Sequence, residues 1–356
     1  MDQKYDFYNR EWEVKKVKMV PDQELLDLLT IAKKQRLKIG LALGSGSARG
    51  MAHIGVIQVL QQYQIPIHFI AGTSIGAVVG SVYATGISVG EMEEIICSMK
   101  NINFLTFLNP AIPSSGFING SRGVDFLERI ALRDKKFSDL KIPFAAVATD
   151  IKTGTKVILN HGSVIKAVRA SFAIPGIFTP VRYQEYFLVD GGLVDPVPVD
   201  VTRGMGADLV IAVSLSSKNP EPQVLINTQE NDRLDQARDL INLKLYKNIK
   251  TKYYIVDKID SLLGQGLNSL GGKYKNTKKQ WEGPYIFEVL SKSIDIMEKE
   301  MTSHSIVNAD IVIKPKQIEG IGLFEFKQAE KIIKEGKEST RKKIPQIKET
   351  IKKKIK

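Results

Sequence analysis

Ser74 lies at the centre of IAGTSIGAVVG, residues 70–80. Apolar residues up to Ile70 break at Gly72, and a small, apolar pattern resumes at Ile75, which predicts a buried strand turning directly into a helix. The spacing Gly72-Thr73-Ser74-Ile75-Gly76 fits a nucleophile elbow, where glycines make room for a sharp strand-to-helix turn and leave the serine oxygen exposed at the helix start. Two glycines around a serine also arise by chance, so the neighbouring segments must decide what the pattern means. Gly44-Ser45-Gly46-Ser47-Ala48-Arg49-Gly50 follows one short apolar run, and Asp190-Gly191-Gly192 follows another. Active sites of open α/β sheets collect at the carboxyl ends of strands, so the three segments can share one crevice.

The glycine loop admits two uses. A Gly-x-Gly turn between strand and helix can hold a dinucleotide, but that turn wants an acidic residue roughly 20 positions later to bind the ribose. No Asp or Glu lies between Arg49 and Glu91, so the reading as a nucleotide-dependent oxidoreductase loses its second support. The same backbone N–H groups at a helix start can instead stabilise an oxyanion formed when a serine attacks an ester. Arg49 adds charge there, for an anionic group or to hold carbonyls in place. A serine nucleophile also needs a base. Of His53, His68, His161 and His304, only His304 falls in the order Ser-Asp-His, and no glycine loop presents it. The alternative is Asp190 acting directly on Ser74, which requires burial to raise its proton affinity. Asp-Gly-Gly is also an ordinary turn.

Such groups need a scaffold. Ile39–Leu43 reads as a buried strand, followed by a helix to about Tyr63, a strand over 67–71 and a helix from Ser74 to about Ala84. That alternation marks an α/β domain with parallel central strands. Further strands are expected at Phe144–Ala148, Thr155–Leu159, Tyr186–Val189, Asp208–Leu215 and Ala309–Ile313, and helices at Ser163–Ala173 and Tyr285–Met301. Residues 1–37 read as an N-terminal helical appendage, 38–217 as the catalytic domain, 218–280 as a polar, partly helical insertion and 281–326 as a return to the domain. Residues 327–356, with 12 Lys and Arg against 4 Asp and Glu, read as a basic C-terminal helix or tail. The uncharged stretch from Gln64 to Gly90 is core rather than a membrane span, because Pro66, His68 and five glycines interrupt it. One cysteine, Cys97, excludes an intramolecular disulfide and points to a cytoplasmic setting, and four scattered histidines offer no zinc spacing.

Glycine loop with a following Arg, GTSIG elbow and DGG, in this order, resemble the patatin-like phospholipase family, and more closely its bacterial branch. HIGVIQVL, the Asp150 to Gly154 turn, AVRASFAIPGIFTPV and LVDGGLVDPVPV look like that branch too. The similarity covers 38–217 and returns at 281–326, notably at Gly320–Phe324. It implies a three-layer α/β/α sandwich with a mainly parallel central sheet, and a lipid acyl hydrolase. It assigns Ser74 as nucleophile, Asp190 as its partner in a dyad without histidine, and the Gly46 and Ser47 amides as oxyanion donors beside Gly44 and Arg49. Many members have three consecutive glycines where this chain has Ser45-Gly46-Ser47. Asp150 is expected to fix a turn, and Ala173–Phe178 to line an acyl channel or fill core. No metal or cofactor is implied. The expected partners are a lipid ester and, through the basic C-terminal segments, an anionic membrane at its inner face; nucleic acid is not expected. A non-catalytic lipid-binding protein on the same fold is the rival reading.

Overall fold

In a computed structural model the structure describes residues 18–98, 121–216, 286–318, 321 and 325–355. The expected insertion at 218–280 lies outside these residues, as do the first 17 positions and most of the Gly320–Phe324 segment. One eight-stranded sheet organises the chain. β1 (Ile39–Leu43) pairs in parallel with β2 (Phe69–Thr73) on one edge and β7 (Leu209–Val213) on the other. β3 (Phe144–Asp150) extends the parallel series beside β2, and β8 (Ile311–Ile313) extends it beside β7. β4 (Lys156–Leu159) and β6 (Tyr186–Asp190) run antiparallel to β3, and β5 (Val181–Tyr183) antiparallel to β6.

The central strands are buried along their whole length, which is why they read as unbroken apolar runs rather than as alternating ones. Their residues nonetheless divide between two faces. Leu41, Leu43, Ile211 and Val213 join the main core with α2 (Ala52–Gln62), α3 (Ile75–Ala84) and α6 (Val164–Ser171). Ala42, Val210 and Ala212 face the other way, with Val199 of α7 (Val199–Gly204). Helices thus cover both faces, the three-layer α/β/α arrangement expected. α4 (Val89–Ser98) and α5 (Ser121–Leu127), which runs on as a π-helix through Leu132, complete this part of the chain.

The pairing of β3 explains how positions 116 apart meet. Val147 pairs with Thr73 on one edge and Ile158 on the other; Thr149 pairs with Val189 and Lys156. β4 therefore occupies one edge, while the opposite edge passes from β2 at Val147 to β6 at Ala148, which pairs with Asp190. The end of β6 arrives head-on at the end of β2.

Contacts divide the chain into two compact units, Met1–Lys218 with Ile294–Lys356, and Asn219–Ser293. In the first, α1 (Gln23–Lys34) packs on α10 (Ile344–Lys354), and α9 (Ala329–Arg341) packs on α2. A Cβ at Gly336 would press on the Ala52 carbonyl, so α9 and α2 touch backbone to backbone. α8 (Ile286–Ser305) runs past its expected end at Met301, which places His304 in its last turn.

Candidate active site

Ser74 joins β2 to α3 with φ 56° and ψ −121°, a conformation that costs a residue with a Cβ about 1–3 kcal/mol and clusters at functional sites. The surroundings hold it there. A Cβ on Gly76 would collide with the Leu43 carbonyl, so only glycine lets α3 start this close to β1. The Ser74 amide donates to Ser171 Oγ at 2.9 Å, and that hydroxyl donates to the Val147 carbonyl at 2.6 Å. The Ser74 side chain is then free to turn toward β6. Its Oγ donates to Asp190 Oδ2 at 2.6 Å.

Asp190 is held on every side. Its N–H donates to the Ala173 carbonyl, and its own carbonyl accepts from Thr149 Oγ1. The Gly192 amide donates to Oδ1 at 2.8 Å, leaving Oδ2 for Ser74. The residue is only 4% exposed. Burial pushes its carboxyl up to about 6, against the pull of the Ser74 and Gly192 hydrogen bonds. A carboxylate so placed is a better proton acceptor than one in water, as direct action on a serine requires.

The glycine loop lies across the elbow. Gly44 and Ser45 spend their amides on the carbonyls of Val213 and Pro196, which fixes the start of the loop. Gly46 has φ 147° and caps the short helix beginning at Ser47, whose φ is 51°. The serine at 47 thus adopts a left-handed backbone that glycine would reach with less strain. Arg49 is buried; its Nε donates to the Gly46 carbonyl and its Nη2 to Asp295 Oδ1 at 3.0 Å. Holding a loop carbonyl is the role observed for it.

The histidines have other partners. His304 is exposed and near Glu300, His68 accepts from the Ile39 amide, and His161 lies beside Asn160. His53, fully buried, hydrogen-bonds to the Gly44 carbonyl at 2.8 Å, which requires Nε2 to carry the proton. Its helical spacing suggests only packing; its role is to hold the glycine loop. Asp150 accepts from Thr153 and Phe187, fixing a turn and the entry of β6. Ala173, Ile177 and Phe178 are buried, with Arg169 against the rings of Phe172 and Phe178.

Three contributions escape sequence reasoning. Ser171 sits in an unremarkable helical run. Asp195 accepts Lys156 Nζ at 2.9 Å while its carbonyl takes Thr73 Oγ1. Asp295 and Glu298 come from α8, more than 100 positions after Asp190, and only their i, i+3 spacing on an amphipathic helix hints that they share a face. Among the described residues no cluster of three or more His, Cys, Asp or Glu could hold a metal ion.

The family model described as patatin-like phospholipase matches residues 41–203, which contain the loop, the elbow and Asp190. An uncharacterized NTE family protein of Mycobacterium tuberculosis is 41% identical over 185 residues, 52% of this chain and 51% of its own. Patatin-like phospholipase domain-containing protein 7 of Mus musculus is 33% identical over 190 residues, and domain-containing protein 6 of Homo sapiens 32% over 187. Each match covers 51% of this chain and 14% of the mammalian protein, so the chain spans about half the length of its bacterial relatives and far less of the mammalian ones. Over residues 41–203, then, this chain is similar to the patatin-like phospholipase family.

Proposed function

We propose that the chain is a serine lipid acyl hydrolase working through a Ser74–Asp190 dyad. The observation that carries this reading is the 2.6 Å hydrogen bond from Ser74 Oγ to a buried carboxylate. The Ser74 oxygen attacks the ester carbonyl as its proton passes to Asp190 Oδ2, and the tetrahedral oxyanion accepts from the Gly46 and Ser47 amides. Collapse expels the alcohol, which takes the proton from Asp190 and leaves an acyl-enzyme. Water then attacks, giving its proton to Asp190, and the acid departs as Ser74 recovers a proton. No metal or organic cofactor enters these steps. The substrate is an acyl ester of a phospholipid, lysophospholipid or related lipid. A cytoplasmic enzyme meeting the inner membrane face through exposed Lys342, Lys352 and Lys353 fits the same reading, and no helix among the described residues is long and apolar enough to cross a membrane.

Labelling with a fluorophosphonate, beside hydrolysis of short- and long-chain esters, tests the reading. Wild type is expected to label and Ser74→Ala not to. Asp190→Asn is expected to lower kcat/KM by about 10⁴, the scale seen when a triad loses its orienting carboxylate. A wild type that neither labels nor hydrolyses is a lipid-binding protein instead.

A further inference from the structure

Glu298 is a carboxyl that the dyad does not use, yet it is turned toward the dyad. It projects from α8, and its Oε1 lies against the Cα of Gly192, in the space a side chain at 192 would fill. Asp190 Oδ1 borders the same space. The Ser45 side chain hydrogen-bonds to Glu298, which links it to the glycine loop one residue before the first oxyanion donor. The charged groups facing it are Asp190 from the Asp-Gly-Gly turn, Arg49 from the loop and Asp295 from its own helix. Asp295 is itself paired with Arg49 at 3.0 Å and with Lys299 at 3.4 Å. Further along α8, Ser305 bonds to Asp195, itself paired with Lys156.

We propose that Glu298 is a positioning residue of the dyad, a second carboxyl that ties Ser45 of the glycine loop to the Asp190–Gly192 turn. The inference rests on the hydrolase reading. Burial first, then the charge of Asp190, pushes Glu298 up to about 8, with Asp295 adding to the rise and Arg49 and Ser45 opposing it. Asp190 titrates lower, at about 6. At neutral pH the pair therefore holds one proton and one negative charge between its two carboxyls. Two carboxyls in one buried site share protons in this way because both cannot ionise cheaply. When the pair loses that proton to solvent at higher pH, a second negative charge appears beside the glycine loop whose amides donate to the oxyanion. The electrostatic stabilisation of the transition state is then opposed where it is most effective.

The rate of Ser74 labelling by a fluorophosphonate is measured on the full chain between about pH 5 and pH 10, with near-UV circular dichroism confirming the fold at each point. Wild type is expected to fall about tenfold per pH unit above about pH 8, as one ionisation requires. Glu298→Gln keeps the neutral carboxamide shape and is expected to lose that limb, staying within about threefold up to pH 10, while its acid limb near 6 is kept. Asp295→Asn removes a charge that raises Glu298 and releases Arg49, so the alkaline limb moves to lower pH. If Glu298→Gln does not fold, the direction of the Asp295→Asn shift decides. An alkaline limb unchanged in Glu298→Gln, absent from wild type, or unmoved or raised by Asp295→Asn overturns the assignment while the hydrolase reading stands. A wild type that labels at no pH removes the hydrolase reading and this inference with it.

Discussion

At the scale of single residues, most of the site consists of groups that hold other groups. Ser74 owes its orientation to Ser171 and to a glycine at 76, and Asp190 owes its to the Gly192 amide. His53 has the same kind of role toward the glycine loop, and its titration makes that role measurable. Burial pushes His53 down to about 4, against the Gly44 carbonyl that favours its charged form. Its folded value lies below its unfolded value of 6.5, so the unfolded chain binds the extra proton, and the stability present above pH 6.5 is lost as pH falls toward 4. The loss amounts to about 2–3 kcal/mol by pH 4.5. In His53→Gln, which keeps an N–H donor but does not titrate, unfolding free energies from urea titrations at pH 7 and pH 4.5 are expected to differ by about 2–3 kcal/mol less than in wild type. Equal acid losses in the two proteins would show that His53 is not the group responsible.

At the scale of elements, what was legible in the sequence followed short-range signals. The strand at Ile39–Leu43, the elbow helix ending at Ala84 and the glycine turns between them are written in adjacent residues, and they appear where the pattern places them. β2 instead runs on to Thr73 because its last residues, including Gly72, still pair with β1 and β3. The contributions of α8 were not legible, because which face of a helix meets a loop some 250 positions earlier depends on long-range packing. The α2–α9 contact was hidden for the same reason: Gly336 reads as a weak point in a Lys-rich helix, but it is where two backbones meet. Gly336→Ala tests this by its sign. In an isolated helix the change stabilises by about 1 kcal/mol, whereas here the added methyl presses on the Ala52 carbonyl and is expected to cost about 1–3 kcal/mol. The melting temperature should fall by several degrees, while Lys334→Ala on the exposed face changes the stability by no more than about 0.5 kcal/mol. A rise in Gly336→Ala would mean that the helices do not touch there.

At the scale of the whole molecule, the basic C-terminal segment changes meaning once its faces are separated. Its charge suggests a solvated tail that could dock on anionic lipid, and Lys352 and Lys353 do remain exposed. Several other lysines are answered within the chain: Lys337 pairs with Glu93, Lys348 with Asp22 and Glu24, and Lys354 with Asp310. Beneath them Ile332, Ile333, Ile344, Ile347 and Ile351 are buried. Burying such a side chain contributes about 1.5–3 kcal/mol, so the five together contribute on the order of 10 kcal/mol. Removing residues 327–356 strips the cover from α2 and is expected to abolish folding of the unit that carries Ser74. The truncated chain should lose its near-ultraviolet circular dichroism and its cooperative melt. By contrast, Lys352→Glu with Lys353→Glu should keep both and weaken binding to phosphatidylserine vesicles by roughly tenfold or more, at about 1 kcal/mol per lysine. A truncated protein that melts like wild type would restore the tail reading, since a segment whose loss leaves the fold intact cannot be holding α2 in place behind the glycine loop.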